Sequence, residues 1–240
     1  DETWVNKNYP AEISLVGDVE KIVVGLTDAL KSEPLAVDQA VMADMIKRQK
    51  EELSNWDRTD LEAQYIDAIR KVLPREGKLV GDSTILAYIA ERAISSFTPG
   101  GVIMPKGSSA IGFAFPAAIG LKLAEPETPV VALTGDGGFL YATHDLATCV
   151  RHNVNFPLIV INDGAYRMID WLQDMNFKRG YETELLNPDF MALAKAYGVS
   201  GVSVDSPEGL EQALAKSLSN GKMELIEVKA KFPNPPFMKF

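Results

Sequence analysis

The sequence predicts an α/β fold: a doubly wound, mostly parallel sheet with helices on both faces. Three observations carry this. Short apolar runs such as Val130-Val131-Ala132-Leu133 and Leu158-Ile159-Val160-Ile161 have the length and β-branched content of strands buried on both sides. Segments with apolar residues at helical spacing stand between them, so strands alternate with helices. Several strands also end in small or polar turns that feed straight into a helix.

The elements follow in order. Glu12 to Val16 reads as a short strand ended by Gly17, and Asp18 caps a helix through Ile22, Val23, Leu26 and Leu30. Lys31-Ser32-Glu33-Pro34 breaks that pattern, and residues 32–57 read as a connecting segment, part helix and part linker. A helix through Leu61, Tyr65, Ile66, Ile69 and Leu73 stops at Pro74. Lys78 to Gly81 is a strand, and Asp82-Ser83-Thr84 opens the next helix. Gly112 to Ala124 is helical despite Pro116; Pro129 to Thr134 is a strand, and Gly138 to Val150 a helix. Pro157 to Ile161 is a strand, followed by helices at Ala165 to Gln173 and Pro188 to Tyr197. Val202 to Val204, Pro207 to Leu218 and Glu224 to Val228 give strand, helix, strand, and the tail from Phe232 to Phe237 is extended by its prolines.

Composition excludes several classes. Apolar residues make up 46% of the 240, too many for a disordered chain. A single cysteine, Cys149, rules out an internal disulfide and suits a reducing, cytoplasmic compartment. The longest uncharged run, between Lys106 and Lys122, is short and broken by Pro116, so no membrane span is expected. The formal net charge of −9 argues against nucleic acid and anionic membranes as partners.

Three turns at strand ends carry chemistry. Gly135-Asp136-Gly137-Gly138 lets the backbone approach a ligand closely and precedes a helix whose free amides favour phosphate. Asp136 puts a carboxylate where an anion is expected, which calls for a bridging cation. Asn162-Asp163-Gly164-Ala165-Tyr166 supplies a second oxygen-rich turn about one strand–helix–strand unit later. Two hard oxygen ligands plus phosphate suit Mg²⁺. The hydroxyls of Ser83 and Thr84 offer donors to phosphate oxygens. A dinucleotide fingerprint fits poorly, because its third glycine position is Leu140.

The stretch Gly135 to Tyr166 resembles the thiamine diphosphate fingerprint, a Gly-Asp-Gly followed by an Asn pair. Ser109 to Gly120 resembles the segment preceding it in acetolactate synthases and 2-oxoacid decarboxylases, and Val5 to Asp18 resembles the end of their central domain. The resemblance covers nearly the whole chain. It implies a thiamine diphosphate-binding fold and three parts: 1–31, the end of a central domain; 32–57, a linker; 58–240, the pyrophosphate-binding domain. It also implies site roles. Asp136, Asp163 and the Ala165 carbonyl bind Mg²⁺. The Gly135–Tyr166 loops, the Gly137 and Gly138 amides, Ser83 and Thr84 hold the cofactor. Ile111 folds it into a V, and the Ser109 carbonyl accepts from its amino group. Asp163 departs from the family pattern, where Asn is usual. An alternative register, with Asn162 as ligand, is disfavoured because neighbouring strand side chains point opposite ways.

The implied activity is thiamine diphosphate- and Mg²⁺-dependent bond cleavage or formation next to a carbonyl, with a 2-oxoacid such as pyruvate as substrate. Alternatives are a 2-hydroxyacyl-CoA or acyloin lyase, and an inactive cofactor-binding subunit. The activating glutamate of the family comes from a pyrimidine-binding domain, which nothing here resembles. The expected partner is therefore such a domain, from another chain or the N-terminal part, in a homo- or hetero-oligomer. His144 and His152 read as surface residues, Cys149 as core, and Met168 and Leu172 as either core or pocket lining.

Overall fold

The computed structural model describes residues 2–31, 38–54 and 59–232. The chain divides into two compact units, Asp1–Ser54 and Asn55–Phe240. The first holds a 3₁₀ turn at Glu2–Trp4, helix α1 (Val19–Lys31) and helix α2 (Gln39–Ser54). Asp18 caps α1, its Oδ1 accepting from the Lys21 amide at 3.0 Å. The strand expected over Glu12 to Val16 does not form. A strand needs a partner to accept its hydrogen bonds, and no described strand pairs with this run. Ile13, Leu15 and Val16 are exposed, and α1 buries none of its residues. Residues 32–37 and 55–58 of the expected linker lie outside the described residues.

The second unit is built on α3 (Leu61–Val72), β1 (Lys78–Gly81), α4 (Ile85–Ala93), β2 (Val102–Ile103) and α5 (Ala114–Ala124). Then come β3 (Val130–Gly135), α6 (Asp136–Leu140), α7 (Asp145–His152), β4 (Pro157–Ile161) and α8 (Arg167–Phe177). α9 (Phe190–Ala196), β5 (Ser200–Val204), α10 (Pro207–Asn220) and β6 (Glu224–Val228) complete it. The six strands lie in the order β2-β1-β3-β4-β6-β5, and every pairing is parallel. The predicted α/β class holds.

Strand alternation sorts the core into two layers. Leu79, Val131, Leu133, Ile159, Ile161, Ile226 and Val228 face α3, α4 and α10. Val80, Val130, Ala132, Leu158, Val160 and Leu225 face α5, α6, α7 and α9. Phe139 anchors the second layer, with ring centroids 6.0 Å from Phe115 and 5.5 Å from Phe190. Pro116 is tolerated because it sits in the first turn of α5, where its missing N–H has no helical acceptor.

Two elements differ from expectation. The single helix expected over Gly138 to Val150 is two, α6 and α7, joined by a turn. Phe139, Ala142, Leu146 and Cys149 all face the same core layer, and that spacing is what reads as one helix. The backbone tightens between them, with Tyr141 and Ala142 bonding three residues back to Gly138 and Phe139. Strand β2 is two residues long, too short to carry any periodicity. Of the extended tail, Phe232 is buried and packs edge-on against Tyr65 at 5.7 Å, and residues 233–237 lie outside the described residues. No helix among the described residues is long and apolar enough to cross a membrane.

Cys149 is 1% exposed, and burial pushes its thiol up to about 12. A thiol reagent at pH 8 is expected to leave Cys149 unlabelled in the native protein and to label it on denaturation. Rapid native labelling, read by mass spectrometry, would contradict this packing.

Candidate functional site

The connection from β1 leads to the β2 edge, while that from β3 leads the opposite way, to β4. Such a reversal opens a crevice beyond the carboxyl ends of the strands. A cavity of about 550 Å³ lies there. Its walls include Ser83, Thr84, Ser109, Ile111, Gly135, Asp136, Gly137, Gly138, Asp163, Ala165 and Tyr166, so the structure brings all the sequence-predicted site residues together. It adds Tyr88, Tyr141, Arg167, Ile169 and Phe232, and it places Met168 and Leu172 in the lining. His144 and His152 are exposed and outside it.

Asp82, which sequence reasoning treated only as a helix opener, organises one side. The residue is 2% exposed. It accepts from the Ser83 amide at 2.7 Å, from the Gly112 amide at 3.1 Å to each oxygen, and from the Ala114 amide at 3.4 Å. The Thr134 hydroxyl donates to it at 2.9 Å. One buried anion thus ties the end of β1 to the Ser109–Phe113 segment and to β3. Gly138 must be glycine here, because a Cβ would stand 2.7 Å from Thr134 Oγ1 and 2.9 Å from Asp82 Oδ2. Ser109 has a left-handed backbone, φ +49°, and its carbonyl accepts from Ser83 Oγ at 2.7 Å. Two groups assigned to the cofactor by resemblance therefore bond each other.

Asp136 organises the other side. Oδ1 accepts from the Gly137 amide at 2.8 Å. Oδ2 accepts from the Gly164 amide at 2.8 Å and from Asn187 Nδ2 at 2.7 Å. Asn187 also donates to Asn162 Oδ1 at 2.9 Å, and Asn162 donates to buried Glu227 at 2.6 Å. Asn162 is therefore engaged away from the cavity, and Asp163 lines it. Residues Gly180 to Asn187 close over this turn: Tyr166 N donates to Thr183 O, and Leu185 N to Gly164 O, both at 2.8 Å. Asn187 gave no sequence signal, because Asn187-Pro188-Asp189 reads simply as a helix start, and Asp189 does cap α9.

Asp163 Oδ2 accepts from Arg167 Nε at 2.9 Å, and Oδ1 from the Ala165 amide at 3.3 Å. Burial raises the Asp163 carboxyl above its ordinary value; Arg167 opposes this, and Asp136 adds to it. Burial and a hydrogen bond with Tyr141 raise the Tyr166 phenol. Its ring lies over the glycine turn, where a Cβ on Gly137 would come within 2.6 Å of it. The Ala165 carbonyl accepts from the Arg167 amide at 2.8 Å.

Residues 80–228 match the family model "Thiamine pyrophosphate enzyme, C-terminal TPP binding domain". The chain belongs to this family. It is 31% identical over 236 residues to the probable 2-ketoarginine decarboxylase AruI of Pseudomonas aeruginosa, covering 95% of this chain and 41% of that protein. It is 28% identical over 245 residues to the catabolic acetolactate synthase of Raoultella terrigena, covering 98% and 43%. Among solved structures it resembles the Rhodococcus jostii RHA1 thiamine diphosphate-dependent 4-hydroxybenzoylformate decarboxylase. The TM-score is 0.66 at 28% identity, over 71% of this chain and 32% of that one. The chain spans about two fifths of the length of its curated relatives.

The cavity's donors suit a TPP-binding domain. Asp136, Asp163 and the Ala165 carbonyl are hard oxygen donors. Among the described residues no group of three or more His, Cys, Asp or Glu is placed to hold a metal. A cation here would need oxygens from a bound molecule, the arrangement Mg²⁺ adopts with phosphates.

Asp82→Ala is expected to cost about 2–5 kcal/mol in denaturant unfolding, because it leaves buried amides and the Thr134 hydroxyl unpaired. Asp163→Asn tests the raised carboxyl. A folded-state value above the unfolded one favours folding at low pH and opposes it as pH rises through the folded value. Asp163→Asn should therefore raise the melting temperature of the ligand-free protein at pH 7, and the gain should shrink toward about pH 4.

Proposed function

We propose that this cavity binds thiamine diphosphate with Mg²⁺, and that the protein cleaves or forms C–C bonds next to a carbonyl. The reaction class is decarboxylation of a pyruvate-like 2-oxoacid, with or without carboligation to a second carbonyl. The observation that carries this reading is the convergence of the Asp136 turn, the Asp163 turn and the Ile111 segment on one cavity, inside the region that matches the family.

Asp136, Asp163 and the Ala165 carbonyl would hold the cation. The Gly138 amide and the Ser83 and Thr84 hydroxyls would hold the diphosphate, with Ser83 exchanging its bond to Ser109 for one to phosphate. The Ser109 carbonyl would accept from the amino group. Ile111, 40% exposed on the cavity wall, would pack against the cofactor. Bound thiamine diphosphate supplies an electron sink for carbanion chemistry. Tyr166, Met168 and Leu172 also line the cavity and would limit water at the reacting centre.

Among the described residues, no glutamate lines the cavity. The activating glutamate would come from a pyrimidine-binding domain, of another chain or of this protein, in a homo- or hetero-oligomer working in the cytoplasm. Exposed Ile111, Tyr141, Ile169 and Leu172 beside the cavity suit such a cover.

Calorimetry on the full-length protein tests the reading. Thiamine diphosphate should bind only with Mg²⁺ present, and Asp136→Ala should weaken binding by about tenfold or more. Metal-independent binding, or unchanged affinity in Asp136→Ala, would count against it. A 2-oxoacid screen monitored by CO₂ release then tests the reaction class.

A further inference from the structure

Among the described residues, Arg167 is the only cationic side chain in the cavity lining. A cavity that receives a polyanion would be expected to turn its one guanidinium toward the ligand. Here the guanidinium is committed elsewhere. Nε donates to Asp163 Oδ2 at 2.9 Å, Nη2 to the Asp163 carbonyl at 3.3 Å, and Nη1 to Asp170 Oδ2 at 2.9 Å. The far end is fixed too, since Asp170 Oδ1 accepts from Thr183 Oγ1 at 2.9 Å. The clamp therefore joins the first turn of α8 to the Gly180–Asn187 loop, which also bonds the Asp163 turn through Leu185 and Gly164. The Asp163 side chain is only 7% exposed, and it stands beside Asp136, a second buried carboxylate.

We infer that Arg167 is a positioning residue for Asp163: it grips one carboxylate oxygen and the main chain of the same residue, leaving Oδ1 for the cation. This rests on the cofactor reading above. Asparagine would carry no charge at this position and would need no such grip. An aspartate needs one, because a buried carboxylate without a partner would turn toward other donors. Hydrogen-bonding partners of metal-binding carboxylates commonly tune affinity by orienting the ligand. The planar fork of arginine can bridge a side chain and a carbonyl at once, which a lysine ammonium cannot do with the same geometry.

A cycle of Asp163→Asn and Arg167→Met in the full-length protein tests this. The readouts are the Mg²⁺ concentration that half-supports thiamine diphosphate binding, measured by calorimetry, and the ligand-free melting temperature. With Asp163 present, Arg167→Met should raise the Mg²⁺ requirement about tenfold or more; in the Asp163→Asn background it should change it by less than about threefold. Arg167→Lys should be impaired about as much as Arg167→Met. Equal effects in both backgrounds would make Arg167 a direct ligand or a general field and overturn the proposal. A changed melting temperature with an unchanged Mg²⁺ requirement would make it a helix staple and also overturn it. Rescue by lysine would assign the effect to charge alone and overturn the grip. If the wild-type protein binds no thiamine diphosphate, the cofactor reading itself fails, an outcome distinct from a flat cycle.

Discussion

The buried carboxylate of Asp82 is the constraint on which the rest of the site depends. A charge at 2% exposure is tolerable only when its oxygens are fully used, and here amides and a hydroxyl from three chain segments use them. Meeting that demand fixes where Ser83 and Thr84 leave β1. It fixes how the Ser109–Phe113 segment turns back, with Gly112 at φ +80° to present its amide. It also fixes how close the glycine turn after β3 can come, since Gly138 has room for a hydrogen and nothing larger. Three loops that could each move alone are held as one wall.

The opposite wall follows the same logic with different groups. Asp136 is held in place by Gly137, Gly164 and Asn187, and Asn187 passes the constraint to Asn162 and Glu227. Each acceptor is buried or half-buried, so each bond lost would leave a polar group stranded. The two walls meet where the Tyr166 ring covers Gly137. The cavity is thus a by-product of satisfying two buried carboxylates at neighbouring strand ends, which is why its residues are polar at the turns and apolar along α8.

The protein carries a net charge of −9, and its cavity holds two carboxylates. An anionic cofactor is compatible with this because local donors decide binding. A bridging cation can neutralise carboxylates and diphosphate together, and turn amides act at hydrogen-bond range, where distant surface charge is screened. Asp163 puts a second carboxylate on the cavity wall, and Arg167 stands against it. Apolar side chains of the cavity lining, among them Ile169 and Leu172 on α8, remain exposed on this chain.

The sequence alone determined most of the local structure over residues 59–232. Apolar runs placed the strands β1, β3, β4 and β6, helical spacing placed most helices, and small residues at strand ends marked the turns that carry chemistry. These are decided by neighbours within a few residues, through φ/ψ preference and side-chain period. Where local pattern lacked a partner, it misled. The Glu12–Val16 run has strand composition but no ladder beside it, and Phe139 to Cys149 keeps one buried face across a turn that splits it into two helices. Only tertiary structure decided what the site residues bond. Asp136 meets Asn187 across 51 positions, Asp82 meets Thr134 across 52, and Asn162 meets Glu227 across 65. The order β2-β1-β3-β4-β6-β5 brings those partners together. A hydrogen bond needs ångström-scale approach, and no spacing along the chain encodes that until the sheet has formed.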